Sequence, residues 1–294
     1  MRYAAVILGL LVVAGVAGAF QGDPETGLGL PSNPYYLFCI PEEYVPTMDG
    51  DLSDWAFMPK KWVYTFENVP RKSSAIEEGK ISKDDFDVII YGPAWCAATN
   101  TLMFAVHKVD DISYHPFTTA EDLGPSFKED NQQWCTDPDG SGGLYRGAEA
   151  GGDSRNAQQN CYNEKWDRIF FFGDQKLWWE FEEPYTYWGS TVDKATGSYD
   201  MEVSQTLWDW LEETPEQSTK HIFEPGQIIG LTFLVVDRDS EEDAVGVAWH
   251  YADPWKDAST FTAFYVMSEE ESRAEMAKPA VEPSTWGTIK AAFK

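Results

Sequence analysis

Asp137, Asp139 and Ser141 alternate through FKEDNQQWCTDPDGSGG, residues 127–143, where their oxygens could converge on a hard cation such as calcium. The glycines between Gly140 and Gly143 permit the positive φ angles that such convergence requires. Asp-Gly and Pro-Asp are equally the dipeptides of a plain turn, so the stretch reads two ways. Catalysis has less to stand on. The sequence holds no GxSxG elbow, no HExxH and no glycine-rich phosphate loop. His107, His115, His221 and His250 lie far apart in it, each read as an ordinary surface or core histidine. With 49 acidic residues a carboxylate pair can be imagined anywhere, which makes none of them informative. A non-catalytic protein is expected.

Charge narrows the partners. Against 49 Asp and Glu stand 22 Lys and Arg, a net charge of −27. That leaves little to build the basic face a nucleic acid or an anionic membrane needs. Acidity of this kind suits calcium or uncharged ligands such as sugars. Residues 1–19 have the layout of an export signal: Arg2, an apolar run from Ala4 to Val16, and small residues at Ala17-Gly18-Ala19. Cleavage near Ala19 and secretion are expected, with no membrane span in the mature chain. Export makes disulfides the default for Cys39, Cys96, Cys135 and Cys161. Four cysteines allow three connectivities. Cys135–Cys161 is favoured because it would close the glycine-rich insertion, leaving Cys39–Cys96 to tie the N-terminal segment to a hairpin.

The elements that must position these groups are mostly strands. Residues 20–46 are rich in Pro and Gly and read as a wrapping arm. Met48-Asp-Gly-Asp-Leu-Ser-Asp-Trp55 follows as a turn and a single helical turn, capped by Ser53 or Asp54, that buries Trp55. Period-two patterning then marks 62–66, 86–91, 102–108, 168–172, 176–181, 199–204, 227–236, 245–251 and 260–266. Asn100, the 173–174 Gly-Asp, the 195–197 Ala-Thr-Gly and the 225–226 Pro-Gly mark turns between them. Only Thr206 to Glu213 reads as helical before the tail. Together these predict an all-β, antiparallel two-sheet sandwich of jelly-roll type over residues 47–267. The tail, 268–294, changes character: a charged helix from Glu269 to Ala277, a Pro-containing spacer, and a short helix after Ser284 with Trp286, Ile289 and Phe293 on one face. That face suits the sandwich or a protein partner.

In order, MDGDLSDW, the DVIIYG…LMFAVHKVDD hairpin, KEDNQQWCTDPDGSGG, GSYDMEVSQTLW, EPGQIIGLTFLVVDRD and VAWHYADPWKDASTFTAFYV resemble the motifs of family 9 carbohydrate-binding modules, from Met48 to Val266. The resemblance implies a calcium-stabilised sandwich that stacks a sugar between two aromatic rings. Position by position, those rings would be Phe127 and Trp255, with Gln133 and Arg168 taking the sugar hydroxyls. The family has tryptophan where this chain has Phe127 and a carboxylate where it has Gln133, while Leu234 and Ala252 stand at amide positions. For calcium the resemblance implies Asp110 and Asp111, with Asp49 as a neighbour. Asp237, Asp239, Glu241, Glu242 and Asp243 read instead as a solvated loop.

Two other readings use the same scaffold. Related sandwiches bind haem, for which His107, His250 and Met103 are the available ligands, although no CxxCH accompanies them. An extracellular or envelope interaction protein would use the tail as a peg and some of the 13 tryptophans at an interface. Most tryptophans, Trp62, Trp178 and Trp249 among them, read as core. Trp255 is different because it sits in an Asp-Pro loop.

Overall fold

Buried Phe86, Val88 and Ile90 alternate with half-exposed Asp87, Ile89 and Tyr91 along strand β4 (Phe86–Cys96). The computed structural model describes residues 20–117, 127–146, 155–163, 168–171, 177–251 and 254–278. From Asn100, at φ 55°, the chain turns back into β5 (Thr101–Asp110), as the sequence predicts. The Asn100 side chain fixes the turn, donating to the His221 carbonyl at 2.7 Å and accepting the Phe223 amide at 3.0 Å.

A back sheet runs β4, β5, β10 (Tyr199–Gln205), β9 (Thr186–Val192), with β2 (Val63–Thr65) on the outer side of β4. A front sheet runs β8 (Arg168–Phe171), β7 (Gln158–Asn163), β6 (Asn131–Asp137), β13 (Ile228–Asp237), β15 (Thr262–Val266). Beyond Leu234, β13 pairs instead with β14 (Val245–Ala248), which carries β3 (Arg71–Lys72). The expected all-β sandwich is present, but it is not wholly antiparallel. Strand β1 (Tyr35–Cys39), inside the segment read as an arm, lies parallel to β15 on one side and to β4 on the other. It joins the two sheets.

Between the sheets, Phe104 of β5 meets Trp134 of β6 and Phe233 of β13 edge-to-face, each at 4.9 Å. Each such buried ring contributes roughly 2–3 kcal/mol. A second cluster covers the outer face of the back sheet, where Trp55, Met58 and Trp62 pack on Phe38, Ile40, Ala94 and Met103. Trp55 sits in a 3-10 turn over Leu52–Phe57 whose cap is Asp51, accepting the Ser53 amide at 3.0 Å, ahead of the expected caps Ser53 and Asp54. Trp62 and Trp249 are core as expected; the Trp178 side chain lies outside the described residues.

Several expected elements differ. Thr206 to Glu213 is not a helix but holds β11 (Trp208–Trp210), paired with β12 (Thr219–Lys220). Trp178–Phe181 is a 3-10 turn instead of a strand. Downstream, helix α1 (Glu269–Met276) follows a capping box in which the Ser268 hydroxyl accepts the Glu271 amide and Glu271 returns to the Ser268 amide. Its Ser272 hydroxyl accepts the Cys39 amide at 2.9 Å, docking the helix on β1. The expected helix after Ser284, the 173–174 turn and the export signal lie outside the described residues. No helix among those described is long and apolar enough to cross a membrane.

The disulfides require correction: all four cysteines are buried thiols. Cys39 lies opposite Trp95 and faces the core between the sheets, whereas Cys96 faces the outer cluster. One residue of offset sends the two sulfurs to opposite faces. Cys135 and Cys161 share a face, but Cys135 is opposite Gln159 and Cys161 is opposite Gln133. That diagonal, about 7–8 Å, exceeds disulfide reach. Burial pushes the Cys39 and Cys135 thiols up to about 12.

Candidate functional site

On the outer face of the front sheet is a groove with a cavity of about 540 Å³. Phe127 and Trp255, far apart in sequence, both line it, with Gln133 in its floor. Phe127 precedes β6 and is 49% exposed. Trp255 packs on the cluster of Cys135, Tyr145 and Phe261 and meets the His250 ring edge-on at 5.8 Å. The rings thus lie toward opposite ends of β6. Arg168 begins the edge strand β8, opposite Asn163, and its side chain lies outside the described residues.

Strand pleat creates the floor. Asn131, Gln133 and Cys135 point outward while Gln132 and Trp134 point inward, and Gln159 of β7 shares the outer face. Gln133 donates to the Asn131 side chain at 2.5 Å and accepts from Gln159 at 2.7 Å; Gln159 in turn accepts from Arg146. Both amides are therefore oriented before any ligand arrives. Around them stand Arg71, Lys72, Arg146, Arg238 and His250, with Leu234 and Val236 supplying apolar surface. No carboxylate is among the described residues of this lining. Sequence reasoning missed this cationic wall, because its residues come from four separate segments and whole-chain charge points the other way.

Arg238 is fixed from below by a buried ionic cluster. Asp110, Asp130 and Asp237 bring carboxylate oxygens within 4.8 Å of one another. Lys108, with its side chain 0% exposed, hydrogen-bonds Asp110 and lies 3.6 Å from Asp130 and 3.4 Å from Asp237. Asp130 accepts the Arg238 amide at 2.6 Å and the Tyr114 amide at 2.6 Å. Burial raises the Asp237 carboxyl despite the opposing pull of Lys108. Asp237 is thus a buried anchor and not part of a solvated loop, a further correction.

The metal ligands implied by the resemblance do not form one site. Asp110 already has the Lys108 ammonium, while Asp111 joins Asp85 and Asp239 in a separate cluster nearer the surface. Burial, then the neighbouring acids, raise Asp85 and Asp239. Asp49 lies elsewhere: its amide and that of Gly50 donate to Glu202 at 3.1 and 2.7 Å, and Trp55 Nε1 donates to the same carboxyl at 2.6 Å. Burial lifts Glu202 to about 7 against those hydrogen bonds. In the DPDGSGG turn, Asp137 accepts from Gly142 N at 2.9 Å and Ser141 Oγ at 3.3 Å, and Asp139 accepts from Ser141 N at 3.0 Å. The turn closes on itself. Burial, then Asp139, raises Asp137, partly offset by the Gly142 amide.

The haem ligands do not converge either. His250 lines the front groove, whereas Met103 and His107 face outward from the back sheet, where His107 Nδ1 is 2.7 Å from Asp200. Beside Met103 lies a rear cavity of about 570 Å³, lined by Thr47, Met48, Glu182, Glu183, Tyr187 and Trp188 among others.

Among solved structures, the chain is similar to a carbohydrate binding module family 9 (CBM9) from Caldicellulosiruptor kristjanssonii in complex with cellotriose, with a TM-score of 0.47 and 14% identity over 84% of this chain and 99% of that one. Such a module from the same organism in complex with glucose gives 0.46 and 14%, over 79% and 96%. No family model matches the sequence, and no curated protein matches it.

Proposed function

We propose that this chain is an exported, non-catalytic carbohydrate-binding module that takes its saccharide in the front groove. The observation that supports it is the joint placement of Phe127 and Trp255 around an oriented amide floor. The CH face of a pyranose is apolar enough to stack on an aromatic ring, while its edge hydroxyls need donors and acceptors already in place. Gln133, Gln159 and Arg146 supply them. Affinity electrophoresis on soluble polysaccharides tests the reading. Phe127→Ala or Trp255→Ala should weaken binding by about 1–3 kcal/mol, by analogy with base stacking, roughly five- to hundredfold. Tyr187→Ala in the rear groove should leave binding unchanged. Equal binding by all four proteins would remove the site assignment.

Calcium belongs to the proposal at Asp85, Asp111 and Asp239, the carboxylate cluster that no lysine occupies among the described residues. Adding calcium should raise the melting midpoint of wild type by mass action and not that of Asp111→Asn. Export is checked by N-terminal sequencing of the mature protein, which should begin near Phe20.

A further inference from the structure

We infer that the saccharide taken by the front groove is acidic, carrying a carboxylate or sulfate; this rests on the carbohydrate reading above. The chain carries 49 acidic residues against 22 basic ones, yet the described lining of the groove holds Arg71, Lys72, Arg146, Arg238 and His250 and no acid. Chance placement on such a surface would put carboxylates among these cations. Three of the cations are also kept from neutralisation. Arg71 donates to the His250 carbonyl at 2.6 Å, Lys72 to the Glu67 carbonyl at 2.8 Å, and Arg238 to the carbonyls of Glu241 and Asp243 at 3.3 and 3.4 Å. No ion pair joins these three to a carboxylate among the described residues. Backbone carbonyls orient a cation without cancelling its charge.

Arg238 goes further, because its Nε is buried with no acceptor among the described residues. A buried charged donor lacking an acceptor is costly, and an anionic oxygen in the groove would satisfy it. Guanidinium groups suit this role because their fork matches the two oxygens of a carboxylate or sulfate. A neutral glucan needs none of this charge. The net charge of −27 would repel an acidic polymer at long range, so capture depends on the local cations at contact distance.

The test is calorimetry of the full chain with an oligogalacturonate, the same oligomer after reduction of its carboxyls to alcohols, a sulfated oligosaccharide, and neutral gluco- and xylo-oligosaccharides. At least one anionic oligomer should bind tenfold or more tighter than neutral or carboxyl-reduced ones, with affinity falling as salt rises. Preference for the sulfated over the uronate oligomer would place the anion on sulfate and sustain the inference. Lys72→Gln combined with Arg238→Gln should erase the preference, so that the folded variant binds the acidic and the carboxyl-reduced oligomers equally. Should the double variant unfold, the wild-type comparison of acidic and reduced oligomers still decides. Equal affinity for those two, with no sulfate preference, overturns the inference and leaves the carbohydrate reading standing. Binding to no saccharide at all overturns both.

Discussion

The two grooves on opposite faces of the sandwich have nearly the same capacity, about 540 Å³ in front and 570 Å³ behind, and opposite chemistry. The front one is lined by arginines, a lysine and oriented amides; the rear one has Glu182 and Glu183 and no cation in its described lining. Both offer aromatic rings, so neither volume nor an exposed ring distinguishes them. What differs is the support beneath. The front wall rests on one lysine shared by three carboxylates, whereas behind the rear rim Glu202 takes the amides of Asp49 and Gly50, which follow Thr47 and Met48 in the chain, and Glu180 is buried. A site that must hold cations at fixed positions needs a charged anchor beneath it, and among the described residues the front groove has one in Lys108 and its carboxylates.

Removing that anchor should have the largest effect. Lys108→Met leaves three buried carboxylates without their cation and should cost about 3–5 kcal/mol, seen as a melting midpoint lower by roughly 10 °C. At a temperature where the variant is folded, saccharide affinity should also fall, because Asp130 positions Arg238. Glu202→Ala should cost less, about 1–3 kcal/mol, for orphaning the Trp55 and Gly50 donors. It should leave affinity unchanged. Loss of binding in folded Glu202→Ala would move the ligand to the rear groove and reverse the comparison.

A smaller effect should appear with pH. Glu202 sits at about 7 and Glu180 at about 8 in the folded protein, both raised by burial from an ordinary 4.5. Between the unfolded and folded values the native chain holds more protons than the unfolded one, so stability must fall as pH rises. The contribution is whole below about 4.5 and is lost as pH passes through 7 for Glu202 and 8 for Glu180. The melting midpoint should therefore decline from pH 5 to pH 9. Glu180→Gln should flatten the upper part of that decline, and an unflattened curve would show that Glu180 does not titrate in this range.

Much of this was legible in the sequence. Alternation gave β4, β10, β13 and β15, and Trp255 stood out because it occupies a loop. Tyr35–Cys39 was hidden for a physical reason: a strand wedged between two sheets is covered almost throughout and shows no alternation. Thr206 to Glu213 misled because its apolar residues at Leu207, Trp208 and Leu211 fit a helical period, while tertiary packing buries them beside a short strand pair. The cationic wall left no local mark, since Arg71, Arg146 and Arg238 meet only through the order of the front-sheet strands. Lys108 gave a faint one, a lysine inside an otherwise apolar strand ending in acids.

The smallest expected effect is none at all, and it bears on both faces. Cys135 and Cys161 lie on the front face, Cys96 faces the rear cluster and Cys39 the core, so no pair is placed to bond. A reductant should leave the melting midpoint and saccharide affinity where they were. In denaturant without reductant, an alkylating reagent should add to every cysteine, read as four mass increments. In the folded protein the reaction should be slow, because burial holds the Cys39 and Cys135 thiols protonated up to about 12. A midpoint that drops with reductant, or fewer than four increments, would mean that two of these thiols bond across a distance the present strand register forbids. The register of β6 against β7, and with it the line of Gln133 and Gln159 in the groove floor, would then have to shift.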